Sequence, residues 1–418
     1  MKHSLIVFLI LLSLTLKAQN FVPGKPAENG LSPERLARID QLVTEHVDKK
    51  WVNGAVVMVA RNGKIVYHKS FGYSDVEKGV AMKKDDIFRI ASQSKAITAL
   101  AVMMLFEEGK FLLDEPISKY IPEFKSPKVL QNLNWADTSY TTQPAKNEIT
   151  IRQLLTHTSG IDYAAIGSQE FKAIYAKAGI PSGIGNDDMV LADRMKKLAS
   201  LPLKHNPGEA FTYGLNMDVL GYLVEVLSGM SFDQFLRTRI FQPLGMNDTY
   251  FYLPKEKHSR LVPLYEVKNG TLSKVTSNAF DKVNVNYPTL DGKYFSGGAG
   301  LSSTAEDYGK FLQLFLNNGQ YNGARLLGRK TIELMLTNQT KPPLTEQVGL
   351  GFGLETDINN YQSIYSLGTF SWGGAFSTSY WADPKEKMVC LIYTNLMGSP
   401  YRNMNEKVKN LIYQAIVD

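Results

Sequence analysis

A lysine at the start of a long apolar segment is the feature that most restricts how this chain can fold. The stretch FRIASQSKAIT, residues 88–98, continues into a run of Ala, Leu, Val and Met residues that reaches Leu105. Because such a run predicts a buried helix, Lys95 must lie inside the protein or at the edge of its interior. An amine in an apolar interior is costly unless a partner or a reaction requires it.

Ser92 offers a reason for the lysine, because it lies three residues earlier and positions three apart share a face of a helix. A serine at a helix N-terminus lies among unpaired backbone N–H groups, which can stabilise an oxyanion. A desolvated lysine loses its proton more readily and can then activate the serine as a nucleophile. The alternative is that Ser92 only caps the helix while Lys95 extends its amine to water.

The N-terminal residues have the composition of a cleavable secretory signal. Residues 1–18 combine a basic start, an apolar run from Leu5 to Leu16 and a small residue, Ala18, before Gln19. A membrane anchor is the alternative, but the apolar run is short for a span and no other segment is long and apolar enough. We therefore predict a secreted protein, periplasmic or extracellular, with no stable membrane anchor.

The composition disfavours several functional classes. The net charge of +6 over 418 residues is scattered among carboxylates, so we expect no nucleic-acid partner. The single cysteine, Cys390, cannot form an intramolecular disulfide, and the histidines show no metal-ligand spacing. No phosphate-binding or dinucleotide-binding glycine pattern is present. We predict no metal and no cofactor.

The order of predicted elements indicates an α/β (α+β) fold in a chain with no linker-like segment. A helix should begin at Ser32, and Asn62-Gly63 and Asp383-Pro384 each mark a hairpin. Strands near both ends predict one antiparallel sheet, flanked by the N- and C-terminal helices. We predict a single domain over 19–418. Its α/β lobe comprises about 30–110 and 295–418, its mostly helical lobe about 111–294, and a cleft lies between them.

The segment around Ser92 resembles the nucleophile segment of the serine β-lactamase and penicillin-binding-protein superfamily. The resemblance is closest to the class C branch, which includes esterases, D-aminopeptidases and acyltransferases. Four further segments resemble the family's landmarks in the same order: ITIRQLLTHTSG (149–160), Pro207-Gly208 to Tyr213, SGGAGLSST (296–304) and WGGA (372–375). The resemblance covers the chain from about residue 30 to the C-terminus and implies a β-lactamase/transpeptidase-like fold.

The resemblance also implies roles for individual residues. Ser92 would be the acylated nucleophile, Lys95 its activating partner, and Tyr213 the group that passes the proton to the leaving group. The backbone N–H groups of Ser92 and Ala375 would form the oxyanion hole. Trp372, Gly373 and Gly374 would lie on the strand that edges the substrate site. From the residues alone, Tyr213 could equally be a packed tyrosine, and the glycines could mark a strand bend or bulge.

Two departures from the family pattern bear on the substrate. Trp372 stands where β-lactamases and peptidoglycan peptidases have a Lys or His that binds the substrate carboxylate. The tyrosine motif reads Tyr213-Gly214-Leu215 and has its asparagine, Asn216, one place late. Both features are typical of the family's esterase branch, and an aromatic wall suits an apolar substrate group. We therefore predict a carboxylesterase, with a small-molecule ester or amide as substrate.

Three other functions remain open at this point. A β-lactamase or a D-amino-acid peptidase of the same fold would use the same nucleophile. A non-catalytic receptor would keep the fold without the chemistry, although the intact set of Ser92, Lys95 and Tyr213 argues against it. His157 could suggest a Ser-His-Asp triad, but the chain has no G-x-S-x-G motif, so we expect a structural histidine.

Overall fold

The computed structural model describes residues 21–185, 188–276, 278–279, 283–401 and 403–418. The predicted signal peptide, residues 1–18, lies outside these ranges. Within them, every helix is too short or too polar to cross a bilayer.

The described residues form short and long strands interspersed with helices. The strands are β1 (Val22–Pro23), β2 (Gly54–Arg61), β3 (Lys64–Asp75), β4 (Val80–Ala81), β5 (Phe88–Arg89), β6 (Lys128–Asn134), β7 (Ser139–Pro144), β8 (Tyr265–Lys268), β9 (Thr271–Lys274), β10 (Ser302–Ser303), β11 (Gln320–Tyr321), β12 (Ala324–Arg325), β13 (Gly353–Leu354), β14 (Phe370–Gly374), β15 (Thr378–Asp383), β16 (Met388–Tyr393) and β17 (Leu396–Met397). The α-helices are α1 (Pro33–Asp48), α2 (Ser94–Glu107), α3 (Ile151–Leu155), α4 (Gln169–Ala178), α5 (Leu191–Ala199), α6 (Asn216–Ser228), α7 (Phe232–Leu236), α8 (Gln242–Leu244), α9 (Ala305–Leu316), α10 (Arg329–Met335) and α11 (Asn403–Tyr413).

The central sheet is built from both ends of the chain. Its strands lie in the order β1-β3-β2-β16-β15-β14-β13, and β4 pairs with β3. Strand β2 pairs antiparallel with β16, so that Val56 lies opposite Tyr393. The short strand β1 departs from the prediction because it pairs parallel with β3. The predicted fold class, a mostly antiparallel sheet with flanking helices, is confirmed.

Both predicted hairpins are present in this sheet. The β2–β3 turn contains Asn62 and Gly63, and their φ angles of 55° and 73° are those of the tight hairpin turn that an Asn-Gly pair favours. The second hairpin joins β15 to β16, with Asp383 opposite Met388. Local turn chemistry therefore sets the register within each of these two hairpins.

Strand β2 shows why the sheet is buried on both faces. Its alternate residues Ala55, Val57 and Val59 join a core with α1 and α11. The intervening residues Val56, Met58 and Ala60 join a second core with α2 and α9. A strand covered on both sides reads as a continuous apolar run, as GAVVMVA does. Because α2 carries Lys95, the second core is the one that supports the predicted site.

The N-terminal helix begins where the sequence predicts it, and a long insertion separates the N-terminal strands of the central sheet from its C-terminal strands. The Ser32 side chain accepts from the Arg35 N–H at 3.2 Å, with Pro33 at the first helical position. Helices α3 to α8 lie in the insertion, together with a β6–β7 hairpin and a β8–β9 pair that the sequence analysis did not predict. The assignment of the two lobes to residues 30–110, 111–294 and 295–418 stays a prediction.

Candidate active site

The nucleophile candidate lies in a tight turn between a short strand and a long helix. Strand β5 pairs with β10, and a 3₁₀ turn over Ala91–Gln93 follows directly before α2. Ala91 has a φ of 44°, a conformation that is strained for any residue with a Cβ. Ser92 is therefore held half-buried at the entrance to the helix rather than within it.

Hydrogen bonds with buried residues hold this turn in place. The Tyr393 hydroxyl donates to the Gln93 side chain at 2.7 Å, and the Tyr308 hydroxyl donates to the Gln93 carbonyl at 2.8 Å. Arg89 is fully buried and donates to the Val262 carbonyl at 2.7 Å, among other acceptors. Since buried polar groups need partners, each of these bonds ties the Ser92 turn to a different part of the core.

Lys95 points at Ser92 from the first turn of α2. Its amine is buried, with 2% of the residue exposed, and Nζ lies 3.3 Å from Ser92 Oγ. It donates to the Gly298 carbonyl at 2.6 Å and to the Tyr163 hydroxyl oxygen at 3.0 Å. Its Nζ also lies 4.5 Å from the centre of the Tyr213 ring. The alternative in which Lys95 extends to water is therefore excluded.

The protonation of Lys95 differs from the sequence-based expectation. Burial lowers the pKa of the amine, but the phenol groups of Tyr163 and Tyr213 raise it by more, so that the pKa lies above its ordinary value. Desolvation therefore acts in the predicted direction, but the neighbouring phenols outweigh it. The described neighbours of the amine are oxygen acceptors and aromatic rings, which favour its protonated form.

Tyr213 and Trp372 lie together beside this ammonium group. Their rings are stacked with centroids 5.8 Å apart, and the indole N–H of Trp372 donates to the Tyr213 hydroxyl oxygen at 3.4 Å. The His157 ring packs on Tyr213 with a centroid distance of 4.8 Å. The fold thus brings Ser92, Lys95, Tyr213 and Trp372, which are spread over most of the sequence, into one group.

Tyr163 belongs to the same group, although the sequence analysis did not identify it. Its hydroxyl accepts the hydrogen bond from Lys95, and its ring centroid lies 5.5 Å from that of Tyr213. Burial raises the pKa of the Tyr163 phenol. Gly214 makes this pairing possible, because a Cβ there would lie 2.0 Å from the Ile161 carbonyl oxygen. A tyrosine in a loop without periodicity gave no signal in the sequence.

A turn built around Asp162 carries Tyr163 to the site. The buried Asp162 carboxylate accepts from the backbone N–H groups of Tyr163 at 2.8 Å and Ser168 at 3.0 Å. Gly167 lies so close to this turn that a Cβ would be 2.3 Å from the Tyr163 carbonyl oxygen. The same turn exposes 59% of Ile166 to solvent. The turn therefore brings the Tyr163 hydroxyl into the site and places the apolar Ile166 side chain at its edge.

Ser92 and Ala375, the two residues of the predicted oxyanion hole, line one open cleft. Its other lining residues are mostly apolar: Ala91, Tyr163, Ala165, Ile166, Ser182, Ile184, Val283 and Ala299. None of these residues carries a positive charge. The described walls of the cleft thus suit an apolar group beside the serine.

Gly373 and Gly374 lie at the end of β14 next to this cleft. A Cβ on Gly374 would be 2.4 Å from the Ile90 carbonyl oxygen, so only glycine allows the strand to approach the Ser92 segment this closely. Strand β14 pairs with β15 without a register shift, and Gly373 and Gly374 lie opposite Ser379 and Thr378. The alternative of a bulge at these glycines is therefore excluded.

The comparisons with known proteins agree with this arrangement. The sequence profile of the Beta-lactamase family matches residues 39–414. The chain belongs to the beta-lactamase family. Protein Rv1367c of Mycobacterium tuberculosis strain H37Rv is 34% identical over 84% of this chain and 87% of its own length. Esterase EstB of Burkholderia gladioli is 30% identical over 86% of this chain and 90% of its own length.

A solved structure extends the likeness to three dimensions. EstCE1, a hydrolase with promiscuous acyltransferase activity, superposes with a TM-score of 0.77 at 25% identity and covers 91% of this chain and 99% of its own. The resemblance inferred from the sequence motifs is therefore confirmed. This member of the beta-lactamase family is a serine hydrolase.

Two polar residues near the centre of this beta-lactamase-family site have structural partners. His157 Nδ1 lies 2.9 Å from Asn216 Nδ2, and burial together with the Lys95 charge holds the pKa of His157 well below its ordinary value. Asn216 is fully buried and also binds the Ser159 hydroxyl. Asn216, which comes one place late in the tyrosine motif, therefore forms hydrogen bonds that support the fold. These contacts agree with the structural role that the sequence analysis predicted for His157.

No metal centre accompanies this site in the described ranges. Across those residues, no group of three or more His, Cys, Asp or Glu side chains is arranged to hold a metal ion.

Proposed function

We propose that the protein is a secreted carboxylesterase that forms an acyl-enzyme on Ser92 and acts on small or apolar acyl esters. The observation that carries the proposal is the Ser92–Lys95 pair, which opens onto an apolar cleft shared with Ala375. Secretion rests on the signal-like sequence of residues 1–18. Esterase EstB, a full-length relative, supports the reaction class.

In the first step, Ser92 Oγ attacks the ester carbonyl carbon. In this proposal Lys95 acts as an ammonium ion, because its neighbours hold the pKa of the amine above its ordinary value, and it stabilises the developing alkoxide rather than removing the serine proton. The Tyr213 oxygen, whose ring lies next to the amine, accepts that proton. The tetrahedral intermediate places its negative oxygen between the backbone N–H groups of Ser92 and Ala375.

In the second step, the bond to the alcohol breaks and the acyl-enzyme remains. Tyr213 passes that proton to the departing alkoxide, and the Tyr213 oxygen then takes a proton from water as the water attacks the acyl carbon. The tetrahedral intermediate of deacylation collapses to the carboxylic acid, and Tyr213 returns the proton to the departing Ser92 Oγ. Lys95 keeps its charge throughout, so its role is electrostatic in both steps.

The side chains around the cleft favour an ester over a β-lactam. Trp372 is uncharged, and the described residues that line the cleft include no cation to bind a substrate carboxylate. The apolar side chains of Ile166, Ile184 and Val283 instead offer burial to an acyl or alcohol chain. A β-lactamase or a D-amino-acid peptidase is the second candidate, because the nucleophile group would serve those substrates equally.

The test compares hydrolysis of p-nitrophenyl butyrate and nitrocefin by the wild-type protein and the Ser92→Ala variant. We expect ester turnover that is lost in the variant and little cleavage of nitrocefin. Strong nitrocefin turnover would instead assign a β-lactamase. If neither substrate is cleaved, the absence of a Ser92 adduct with a p-nitrophenyl phosphonate would favour a non-catalytic receptor.

A further inference from the structure

Asp218 is a fully buried carboxylate whose role is not explained by the reaction described above. It is the third residue of α6, and none of the ion pairs among the described residues involves it. It accepts hydrogen bonds from the Tyr294 hydroxyl at 2.8 Å, the Ser296 hydroxyl at 2.8 Å and the Gly298 N–H at 2.7 Å. Because a buried charge is costly, a carboxylate here points to a use beyond packing.

The hydrogen bonds of Asp218 hold a strap, residues 296–299, between α6 and α2. On the α2 side, the Gly298 carbonyl accepts from Lys95 at 2.6 Å. One residue earlier, the Gly297 carbonyl accepts from the Thr98 hydroxyl at 2.7 Å. Asp218 therefore holds the strap on the α6 side. On the α2 side, the strap's carbonyl oxygens accept from Lys95 and Thr98, which lie three residues apart on one face of the helix.

The strap fits this gap only because it contains glycines. A Cβ on Gly297 would lie 2.3 Å from the Met217 carbonyl oxygen, which α6 does not allow. A Cβ on Gly298 would lie 3.1 Å from the Tyr163 hydroxyl, 3.2 Å from Asp218 Oδ1 and 3.5 Å from Lys95 Nζ. Gly298 therefore lies against the Asp218 carboxylate, the Lys95 amine and the Tyr163 hydroxyl at the same time.

We propose that Asp218 is a positioning residue that holds the Gly298 carbonyl against Lys95 and thereby keeps the ammonium group aimed at Ser92. The inference rests on the proposed function, because it assigns Asp218 to the same reaction. Asp218 itself touches no substrate in this scheme. Its negative charge also stabilises the protonated amine across the Gly298 peptide.

Several other titratable groups surround this unit and contribute to its pH dependence. They are Lys95 on α2, His157 after α3, Tyr163, Tyr213, Tyr252 and Tyr294. The effect of Asp218 must therefore be measured as a difference between variants that share all of these groups. Asp218→Asn suits this purpose, since its amide oxygen can still accept from the Gly298 N–H while the charge is removed.

The experiment measures the rate at which a p-nitrophenyl phosphonate labels Ser92 between pH 5 and pH 11. The proteins compared are wild type, Asp218→Asn, Asp218→Ala and a control, Asp383→Asn. Asp383 is also fully buried and accepts from a tyrosine hydroxyl, that of Tyr413, at 2.7 Å and from the Glu386 N–H at 3.0 Å. It matches Asp218 in environment and lies on β15, outside the site.

We expect Asp218→Asn to label about tenfold more slowly, the effect of one weakened charge-assisted hydrogen bond. Its alkaline limb should move to lower pH, because the ammonium loses a neighbouring negative charge. Asp218→Ala should label more slowly still, whereas Asp383→Asn should keep the wild-type profile with a lower Tm. A profile of Asp218→Asn that matches Asp383→Asn would overturn the inference. Labelling of wild type without ester turnover would refute the esterase proposal and leave this comparison intact.

Discussion

The indole N–H of Trp372 donates to the hydroxyl oxygen of Tyr213 at 3.4 Å, and the two rings stack. The resemblance places a cation of β-lactamases at the position of Trp372. In this chain that position therefore supplies a neutral donor and an apolar surface, both directed at the predicted proton carrier. In the proposed mechanism, this contact links the residue that we expect to set the substrate preference with the residue that we expect to carry the proton.

Replacements of Trp372 separate these two contributions. Trp372→Phe keeps the ring and removes the N–H, so kcat for p-nitrophenyl butyrate should fall about fivefold with little change in KM, the effect of one lost hydrogen bond. Trp372→Lys should lower ester turnover further and raise kcat/KM for nitrocefin. Equal losses on both substrates with Trp372→Lys would contradict the proposed basis of specificity.

The Tyr163 hydroxyl should contribute to turnover through its contact with Lys95. Tyr163→Phe removes only the oxygen that accepts from the buried amine, and we expect kcat to fall about tenfold. The matched control is Tyr175→Phe, since the buried Tyr175 hydroxyl accepts from the Asp162 N–H at 3.3 Å and lies one contact away from the site. Similar kcat losses in both variants would indicate a structural effect on the turn rather than on Lys95.

Ile166 at the rim of the cleft should determine the preference for apolar chains. Ile166→Glu places a carboxylate where an acyl chain would be buried, so kcat/KM for the butyrate ester should fall about tenfold and that for the acetate ester by less. Ile358→Glu is the control, because Ile358 is exposed to a similar extent, 62% against 59%, and lies in the β13–β14 connection. A chain-length preference unchanged by Ile166→Glu would rule out this cleft as the acyl site.

His157 should make the protein less stable in mild acid. Its pKa in the folded state lies well below the ordinary value of about 6.5, so below that pH the unfolded chain binds a proton that the folded chain does not. The contribution of this residue to the free energy of unfolding should therefore decrease between pH 7.5 and pH 5.5, by roughly 1 kcal/mol. In urea unfolding at both pH values, the free energy of unfolding of His157→Gln should decrease less than that of the wild type, by this amount. Identical losses in the two proteins would contradict the assignment.

The parts of the fold that were predictable are those set by local chemistry. The cap at Ser32, the Asn62-Gly63 turn and the apolar run after Lys95 each depend on neighbouring residues, and each element forms where it was expected. The parallel pairing of β1 was not predictable, because two residues carry no periodic pattern and their partners lie 42 positions away in the sequence.

The candidate site likewise contains residues that could be predicted from the sequence and residues that could not. Ser92, Lys95, Tyr213 and Trp372 could be found because motifs carry them, and the structure brings them together. The roles of Tyr163 and Asp218 arise only from tertiary contacts, with Lys95 in one case and with the strap at Gly298 in the other. The net direction of the Lys95 pKa shift could not be predicted for the same reason, because burial was visible in the sequence and the surrounding oxygen atoms were not.

The pairing of β2 with β16 also determines when the enzyme can come into existence. During synthesis Val56 emerges long before its partner Tyr393, and Ala375, the predicted oxyanion-hole residue, emerges almost as late as Tyr393. Contacts this distant in sequence close slowly and only on a finished chain. A nascent chain therefore carries Ser92 without a catalytic site around it. Activity should first appear after the last strands have left the machinery that makes or exports the protein.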